Sequence, residues 1–375
     1  MKNEIKLTFT GDIMCDNLEI MQKNDFKNFI DKDIQNKFKE SNYVIGNLET
    51  PLIKNTNINN RKKYSFMAPI EFALELKKIG INMVSTANNH CLDCGENGLK
   101  ENIELLDVTG IEHVGTYRTL KERNEMFIRE IGGIKFAFIS YTYGTNAFLN
   151  NNYLNQKNEY IVNLLKKQEA KYNLFKKVKD KFFENVHIYS YIRDKKFLLK
   201  VKQDIELAKQ EADFVIFCMH SGGQYNKKVE HYTKKLSDYL IKCGSDFIIG
   251  NHPHVVLNYK IYKSMKQVYY SLGNFYATPF SNHNQKDEIP NYSILLNLIF
   301  DEKSKKLNRV TYSIVKTIIE STGLPKTYSI EKIYENSTEE EKLKIVNDVR
   351  QINRNFTKKE IGKISNEYTL LEVDK

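Results

Sequence analysis

The amino-acid sequence predicts an α/β fold in which helices cover a β-sheet. Short β-rich runs alternate with amphipathic segments of helical length through most of the 375 residues, a pattern that places helices on the faces of a sheet. Five of the apolar runs end directly in a polar motif, as expected where ligands bind beyond the carboxyl ends of strands. We expect residues 1–320 to form one large domain with an insertion, and residues 321–375 to form an extension.

The first part of the chain predicts strands, helices and a hairpin. The alternating run at residues 5–10 predicts an opening strand that ends at Gly11 and Asp12. Pro69 suits the first position of a helix that Gly80 ends, and two consecutive glycines suit a hairpin turn. The predicted strands are residues 5–10, 43–47, 81–87, 111–114, 127–131 and 134–140, and the predicted helices are residues 69–79 and 98–108.

Residues 146–200 differ in character from their surroundings and predict an insertion. They are rich in Asn, Lys and Tyr and lack the alternation of a strand, so we expect residues 159–183 to be largely helical. Regular alternation then resumes, and the charged residues from 337 onward predict a C-terminal helical extension. The predicted strands of this part are residues 214–219, 247–250, 268–271, 293–300 and 309–319, the last two as an antiparallel pair, and the predicted helices are residues 201–211 and 229–243.

The composition excludes several classes of protein. Apolar residues make up 41% and charged residues 28% of the chain, as in ordinary soluble domains. The N-terminus lacks an apolar core of signal-peptide length and no stretch approaches a membrane span, so we expect a cytoplasmic protein without a transmembrane segment. Five cysteines are too few for a disulfide framework, and Cys91 and Cys94 lack the second pair that a zinc site requires.

The net charge of +10 favours polyanionic partners through long-range attraction. The lysines are spread along the chain, and no recognisable nucleic-acid-binding module accompanies them. A solvated basic surface explains this charge equally well. Specific binding of nucleic acid is therefore the weakest of the functions that we consider.

Polar motifs follow five of the apolar runs, and a sixth is expected to shape the same pocket. If the runs are strands of one sheet, the motifs converge on one rim of that sheet. The motifs are TFTGD (8–12), GNLETP (46–51), ANNHCLDCGENGL (87–99), MHSGGQY (219–225), GNHPHV (250–255) and YSLGNF (270–275). The side chains expected to face one another are Asp12, Glu49, Asn89, His90, His220, His252 and His254.

This group of side chains predicts a metal site. Carboxylate, amide and imidazole ligands together suit Mn²⁺, Zn²⁺ or Fe²⁺, and two such ions about 4 Å apart can activate water and hold both ends of a displacement. A single histidine after a strand is more often structural. Four of the eight histidines lie in these motifs, however, and two strand-end carboxylates precede them, so the group favours a site for one or two divalent ions.

The same motifs resemble those of the bacterial capsule synthesis protein CapA family, also called the poly-γ-glutamate capsule biosynthesis family. That family is similar to calcineurin-like metallophosphoesterases. The matches run from the N-terminus to about residue 300 with a gap in the insertion, and NNHCLDCGENGL and YSLGNF are the most specific of them. The resemblance implies a metallophosphoesterase-like four-layer α/β/β/α sandwich, with the insertion and the C-terminal helices added to it.

The resemblance also implies a role for each polar residue. His90 would stand near the leaving group as an acid or transition-state stabiliser. His90 and Asp12 are the two expected catalytic residues. Asp12 and His254 would bind the first metal ion, Asn89, His220 and His252 the second, and Glu49 would bridge the two. The residues expected to line the substrate pocket are Asn47, Asn88, Asp93, Tyr225 and Asn274.

Glycines and departures from the family pattern complete these expectations. Gly11, Gly46 and Gly250 are expected to let backbones approach closely at the turns.

Met14 stands where phosphoesterases usually have a histidine. Because a thioether is a poor ligand for a hard cation, the first metal site is expected to be weak or empty. Ser221 replaces an aromatic residue of the family pattern, which is expected to alter substrate contacts.

Two functions remain open at this point. The first is a metal-dependent hydrolase that acts on an anionic polymer, such as poly-γ-glutamate, or on a phosphoester, together with partner proteins of capsule synthesis. The second is a non-catalytic assembly factor that uses the same site to bind a metal or a polymer. Bound metal with turnover would favour the first, and tight metal without turnover would favour the second.

Overall fold

Two β-sheets form the centre of the protein in the computed structural model. The structure describes residues 4–17, 26–55, 65–168, 188–279 and 289–373. Within these ranges there are fifteen strands and nine α-helices, so the α/β class predicted from the sequence is confirmed. In that part of the chain, none of the helices has the length and hydropathy needed to cross a bilayer.

The strands and helices are numbered in chain order. The strands are β1 (Glu4–Ile13), β2 (Tyr43–Leu48), β3 (Met83–Ser85), β4 (Glu112–Val114), β5 (Ile128–Ile131), β6 (Ile134–Thr142), β7 (Phe214–His220), β8 (Phe247–Asn251), β9 (Val256–Ile261), β10 (Gln267–Leu272), β11 (Asn274–Tyr276), β12 (Tyr292–Asp301), β13 (Lys306–Ile319), β14 (Pro325–Ser329) and β15 (Tyr368–Glu372). The helices are α1 (Lys32–Lys39), α2 (Ile70–Lys78), α3 (Gly95–Thr109), α4 (Leu120–Asn124), α5 (Ala147–Asn150), α6 (Ile188–Glu211), α7 (His231–Cys243), α8 (Ile330–Glu335) and α9 (Glu339–Thr357).

The first sheet has nine strands and the second has six. In the first, the order is β14-β13-β12-β1-β2-β3-β4, with β11 beside β1 and β15 beside β13. Strands β1 to β4 are parallel, whereas β12, β13 and β14 are antiparallel. In the second, the order is β5-β6-β7-β8-β10-β9, in which β6, β7, β8 and β10 are parallel. The parallel strands of each sheet therefore end at a common edge.

A shared hydrophobic core joins the two sheets. The ring of Phe300 on β12 lies 5.0 Å from that of Phe136 on β6, and 4.8 Å from that of Phe214 on β7, measured between centroids. Both sheets contribute fully buried residues to this core. Because side chains alternate between the faces of a strand, neighbouring residues of the same strands point away from it.

Helices cover the opposite face of each sheet. Val44 on β2 belongs to a cluster with residues of α1, α2 and α3, whereas the next residue, Ile45, belongs to the shared core. In the second sheet, Ile248 on β8 packs with residues of α6 and α7, and Ile249 with the shared core. Each sheet therefore has one face in the shared core and one face under helices.

Most elements predicted from the sequence are present, and the differences have physical causes. The hairpin of β5 and β6 turns at Gly132 and Gly133, whose positive φ values of 57° and 74° explain the choice of glycine. Strands β9 and β11 and helix α1 were not predicted. Strand β11 has only three residues, too few for a periodic signal, and it is held beside β1 by tertiary pairing.

The helix predicted for the insertion is wrong over residues 159–168. Apart from a single 3₁₀ turn at Glu159–Ile161, this stretch is not helical. Val162 and Leu164 form isolated bridges with Thr116 and Thr142, and both are buried in a small cluster with residues of α3. Burial of these apolar side chains outweighs local helical propensity. Residues 169–183 of the predicted helix lie outside the described residues.

The C-terminal segment is not purely helical, which corrects the prediction. It contains helices α8 and α9, but β14 and β15 each pair with β13 and extend the first sheet. Helix α9 also buries Val349, Ile352 and Phe356 in the core that joins the sheets. The boundary at residue 320 stays a prediction, and the packing of α9 provides a test of it.

We predict that Phe356→Ala lowers the free energy of unfolding by about 3–5 kcal/mol, because the ring is fully buried and leaves a cavity. Its centroid lies 5.1 Å from that of Tyr312 and 5.6 Å from that of Tyr259. The matched control is Leu343→Ala on the same helix, a residue that is 70% exposed, for which we expect a change within about 0.5 kcal/mol. Chemical denaturation measures both, and equal small effects would show that α9 does not stabilise the domain.

Candidate metal centre

The predicted site residues come together, but from two sheets. Asp12 lies in β1 and Glu49 directly follows β2, both in the first sheet. His220 ends β7 and His252 follows β8, both in the second sheet. The strands that carry the motifs therefore belong to two sheets, so the condition that all of them lie in one sheet is not met. The strand ends of both sheets meet at one edge of the molecule.

Glycines allow the backbones to approach closely at this edge. A Cβ atom on Gly11 would lie 2.0 Å from the carbonyl oxygen of Gly273, and one on Gly250 would lie 2.2 Å from that of Tyr270. On Gly46 it would lie 2.5 Å from Cδ1 of Ile13. Real Cβ atoms do not tolerate such distances from backbone atoms, so the predicted close approach of backbones is confirmed at Gly11 and Gly250, whereas the contact at Gly46 is with a side chain.

The carboxylate of Glu49 lies at the middle of the site. Its Oε1 atom is 3.6 Å from Nε2 of His220, 3.7 Å from Nε2 of His254 and 3.9 Å from Nε2 of His90. The residue is fully buried, and neither carboxylate oxygen accepts a hydrogen bond within the described part of the chain. Burial, with a further contribution from the charge of Asp12, raises the pKa of this carboxyl well above its usual value.

Asp12 lies beside Glu49 in a different electrostatic environment. Its Oδ1 accepts a hydrogen bond from Nδ2 of Asn47 at 2.8 Å, and its Oδ2 accepts one from the backbone N–H of His252 at 3.2 Å. Nδ1 of His254 lies 3.3 Å from the same Oδ2. Burial opposes ionisation of Asp12, but the interactions with His254, Asn47 and His252 outweigh it and lower the pKa.

The imidazoles of His220 and His252 are held in the neutral form that binds metals. Burial, with the neighbouring imidazoles, lowers the pKa of His220 well below its usual value, and the same causes lower that of His252 to about 3. Nε2 of His220 lies 2.6 Å from Oδ1 of Asn89. Nδ1 of His252 is buried and contacts no hydrogen-bond partner among the described residues.

The turn that carries His252 and His254 has an unusual backbone. Both residues have positive φ, 97° and 58°, a conformation that costs free energy for residues other than glycine. The strain brings both imidazoles towards Asp12 and Glu49. Strain of this kind is concentrated at functional sites.

Two sets of donor atoms could each hold a metal ion. Glu49, His220 and His252 form one set, and Asp12, Glu49 and His254 form the other, with the donor atoms of each set within 4.8 Å of one another. Glu49 belongs to both sets. The mixture of carboxylate and imidazole donors, together with the unsatisfied oxygens of Glu49 and the unsatisfied Nδ1 of His252, fits divalent cations.

His90 lies next to these donor sets. Its Nδ1 is 2.6 Å from Oδ2 of Asp93, which leaves Nε2 directed towards Glu49. The ring stacks on Phe66 with centroids 4.0 Å apart and planes inclined by 20°. Phe66 was not predicted to belong to the site, because it lies outside the motifs and no periodic signal marks it.

Three of the residues expected to line the substrate pocket, Asn47, Tyr225 and Asn274, lie against residues of the donor sets. Asp93 holds His90, as described above, and Asn88 donates to the carbonyl of Leu48 at 2.7 Å, which ties the third motif to the second. Their contact with a substrate stays a prediction. Nδ2 of Asn47 donates to Asp12 and lies 3.3 Å from Nδ1 of His220. Oδ1 of Asn274 lies 2.9 Å from Nδ1 of His254. The ring centroid of Tyr225 lies 5.5 Å from that of His254.

Neither Cys91 nor Cys94 belongs to a donor set among the described residues, and Met14 offers only a thioether. Met14 is buried, and its backbone N–H donates to the carbonyl of Tyr276. Cys91 belongs to the small apolar cluster beside α3, and Cys94 donates weakly to the carbonyl of Phe66. The cysteines therefore stabilise the loop around His90 and not a separate metal site.

Comparison with known proteins places the chain in a family. It is 24% identical over 277 residues to "Capsule biosynthesis protein CapA" of Bacillus anthracis, covering 72% of this chain and 59% of that protein. It is 23% identical over 274 residues to "PGA biosynthesis protein CapA" of Bacillus subtilis, covering 72% and 63%. The chain thus spans about three fifths of the length of these curated relatives. The family model "Bacterial capsule synthesis protein PGA_cap" matches residues 6–279, well over half of the chain, and the protein belongs to that family.

Proposed function

We propose that the protein is a metal-dependent hydrolase that acts on an anionic polymer or a phosphoester during capsule synthesis. The observation that supports this proposal best is the position of Glu49, a buried carboxylate with no hydrogen-bond donor that is shared by two sets of metal-binding atoms. We also propose that the two sheets and their helices form a four-layer α/β/β/α sandwich of the metallophosphoesterase type.

The environment of Glu49 supports the binding of a cation at this position. A buried carboxylate without a hydrogen-bond donor is costly to a fold unless a positive charge compensates it. The surrounding imidazoles of His220 and His252 have depressed pKa values and do not supply that charge near neutral pH. A divalent ion held by Glu49 and these neutral nitrogens would supply it and would favour the ionised form of the carboxyl.

The rest of the site supports hydrolysis. When bound, such ions supply Lewis-acid polarisation of a substrate oxygen and activation of water. Asp93 accepts the Nδ1 proton of His90 and so fixes the ring with Nε2 facing the centre. A protonated Nε2 in that position can deliver its proton to a leaving group, and stacking on Phe66 prevents the ring from turning away.

The names of the relatives support a role in capsule synthesis, and one of them includes the polymer abbreviation PGA. Poly-γ-glutamate carries one carboxylate per residue, and the net charge of +10 is compatible with such a substrate. A second candidate is a non-catalytic factor that binds metal or polymer. The buried Met14, which provides no suitable donor where phosphoesterases usually have histidine, favours this alternative.

We predict that Glu49→Gln removes metal binding, because the amide has no charge to compensate the ions. Mn²⁺ at about one hundred times its Kd stabilises a protein by about 2.7 kcal/mol, so we expect this stabilisation for the wild-type protein and little or none for the variant. The control is Glu71→Gln, an exposed carboxylate on α2. Elemental analysis and thermal unfolding with and without Mn²⁺ measure the difference, and unchanged metal content in Glu49→Gln would contradict a centre built on this residue.

We predict that His90→Gln lowers the turnover of a chromogenic phosphodiester or of poly-γ-glutamate by about 10²–10⁴-fold with unchanged metal content, because only the proton donor is lost. Asp93→Asn should shift the pH profile in the same assay, because it alters the partner of Nδ1. The control is His113→Gln, which disrupts a histidine–aspartate contact with Asp107 outside the site. Tight metal binding without turnover of either substrate would instead identify a binding factor.

A further inference from the structure

A cavity of about 130 Å³ opens beside the metal centre. Its lining includes Asn89, His220 and His252, so the cavity adjoins one of the two donor sets. Residues 142–148, which begin at the last residue of β6, also line it, together with Lys166 and Gln168 of the insertion. None of the described residues that line it is Asp or Glu.

Lys166 contributes the one formally charged side chain among the described residues of this lining. The residue is only 4% exposed, and its Nζ lies 3.4 Å from the centroid of the Tyr143 ring. A cation over the face of an aromatic ring is stabilised by the ring quadrupole, more strongly where water is excluded. The ammonium group is thus held at the cavity and does not extend into solvent as surface lysines do.

Backbone hydrogen bonds fix Lys166 relative to the metal centre. The N–H of Tyr143 donates to the carbonyl of His220 at 2.9 Å, and the N–H of Leu165 donates to the carbonyl of Thr142 at 2.8 Å. Two backbone hydrogen bonds, through the adjacent residues Thr142 and Tyr143, therefore connect His220 to Leu165, the residue before Lys166. Gln168 donates to the hydroxyl oxygen of Thr145, which leaves the hydroxyl proton of that residue available as a donor.

We propose that this cavity is a subsite for an anionic group of the substrate, a carboxylate or a phosphate, next to the bond that is broken at the metal centre, and that Lys166 binds that group. The proposal rests on the proposed function for the position of the bond, but the binding of an anion does not depend on turnover. The insertion, which lies outside the six polar motifs of the sequence, thereby provides substrate recognition.

Equilibrium binding tests the subsite with two probes, a γ-glutamyl oligomer for carboxylates and tripolyphosphate for phosphates. Isothermal titration calorimetry of the full chain with Mn²⁺ compares the wild-type protein with Lys166→Met, which retains the length of the side chain but removes its charge. We expect the variant to bind the preferred probe about tenfold more weakly or worse, since hydrogen bonds to charged groups have that worth. The control is Lys167→Met, the exposed neighbour, for which we expect a change below about twofold.

A second variant keeps the test decisive if Lys166→Met fails to fold. Gly144 lines the cavity, and a Cβ atom on it would meet no other atom within 4 Å. We expect Gly144→Leu to fold normally, to occupy the cavity and to weaken binding of the same probe by about tenfold or more.

The outcomes separate this proposal from the hydrolase proposal. If Lys166→Met and Gly144→Leu bind both probes as tightly as the wild-type protein, or if Lys167→Met weakens binding equally, the subsite is overturned even where turnover is present. If the two cavity variants lose binding while the wild-type protein turns over neither substrate, the subsite stands and the hydrolase proposal fails. The probe that binds more tightly identifies the carboxylate or the phosphate as the recognised group.

Discussion

The burial of the Glu49 carboxylate among imidazoles is the interaction on which the arrangement of the site depends. The group has no hydrogen-bond donor within the described part of the chain, yet three histidine nitrogens lie between 3.6 and 3.9 Å from one of its oxygens. Such a group is destabilising in an uncharged interior. The fold retains it within two sets of atoms suited to cations, and the neighbouring residues hold those atoms in place.

This arrangement requires that the two sheets meet correctly. Asp12 and Glu49 belong to one sheet and His220 and His252 to the other, so their distances are determined by the core between the sheets. Contacts at hydrogen-bond distance also cross this boundary directly, since Nδ2 of Asn47 on β2 lies 3.3 Å from Nδ1 of His220 and the backbone N–H of His252 donates to Asp12. Packing of Phe300 against rings of the second sheet therefore contributes indirectly to the geometry of the site.

Segments outside the motifs also support the functional edge. Phe66 stacks on His90, and the insertion places Lys166 beside the donor sets. The C-terminal segment lies further away, where β14 and β15 extend the first sheet and α9 covers the shared core. In this chain the candidate metal-binding atoms come from the motifs. The residues that surround them come partly from the same motifs, such as Asn47, and partly from segments that carry no motif, such as Phe66 and Lys166.

The sequence by itself determined which residues form the two candidate donor sets and where most strands end. Both properties are local: a polar motif directly after an apolar run identifies a strand end, and the side chains of Asp12, Glu49 and His220 identify the chemistry. Only the tertiary structure decided that two sheets share the site, that residues 162–165 are packed without forming a helix, and that Lys166 lines a cavity. These features depend on contacts between residues far apart in the chain, such as Thr116 with Val162. A local sequence pattern does not specify which distant residue a segment will contact.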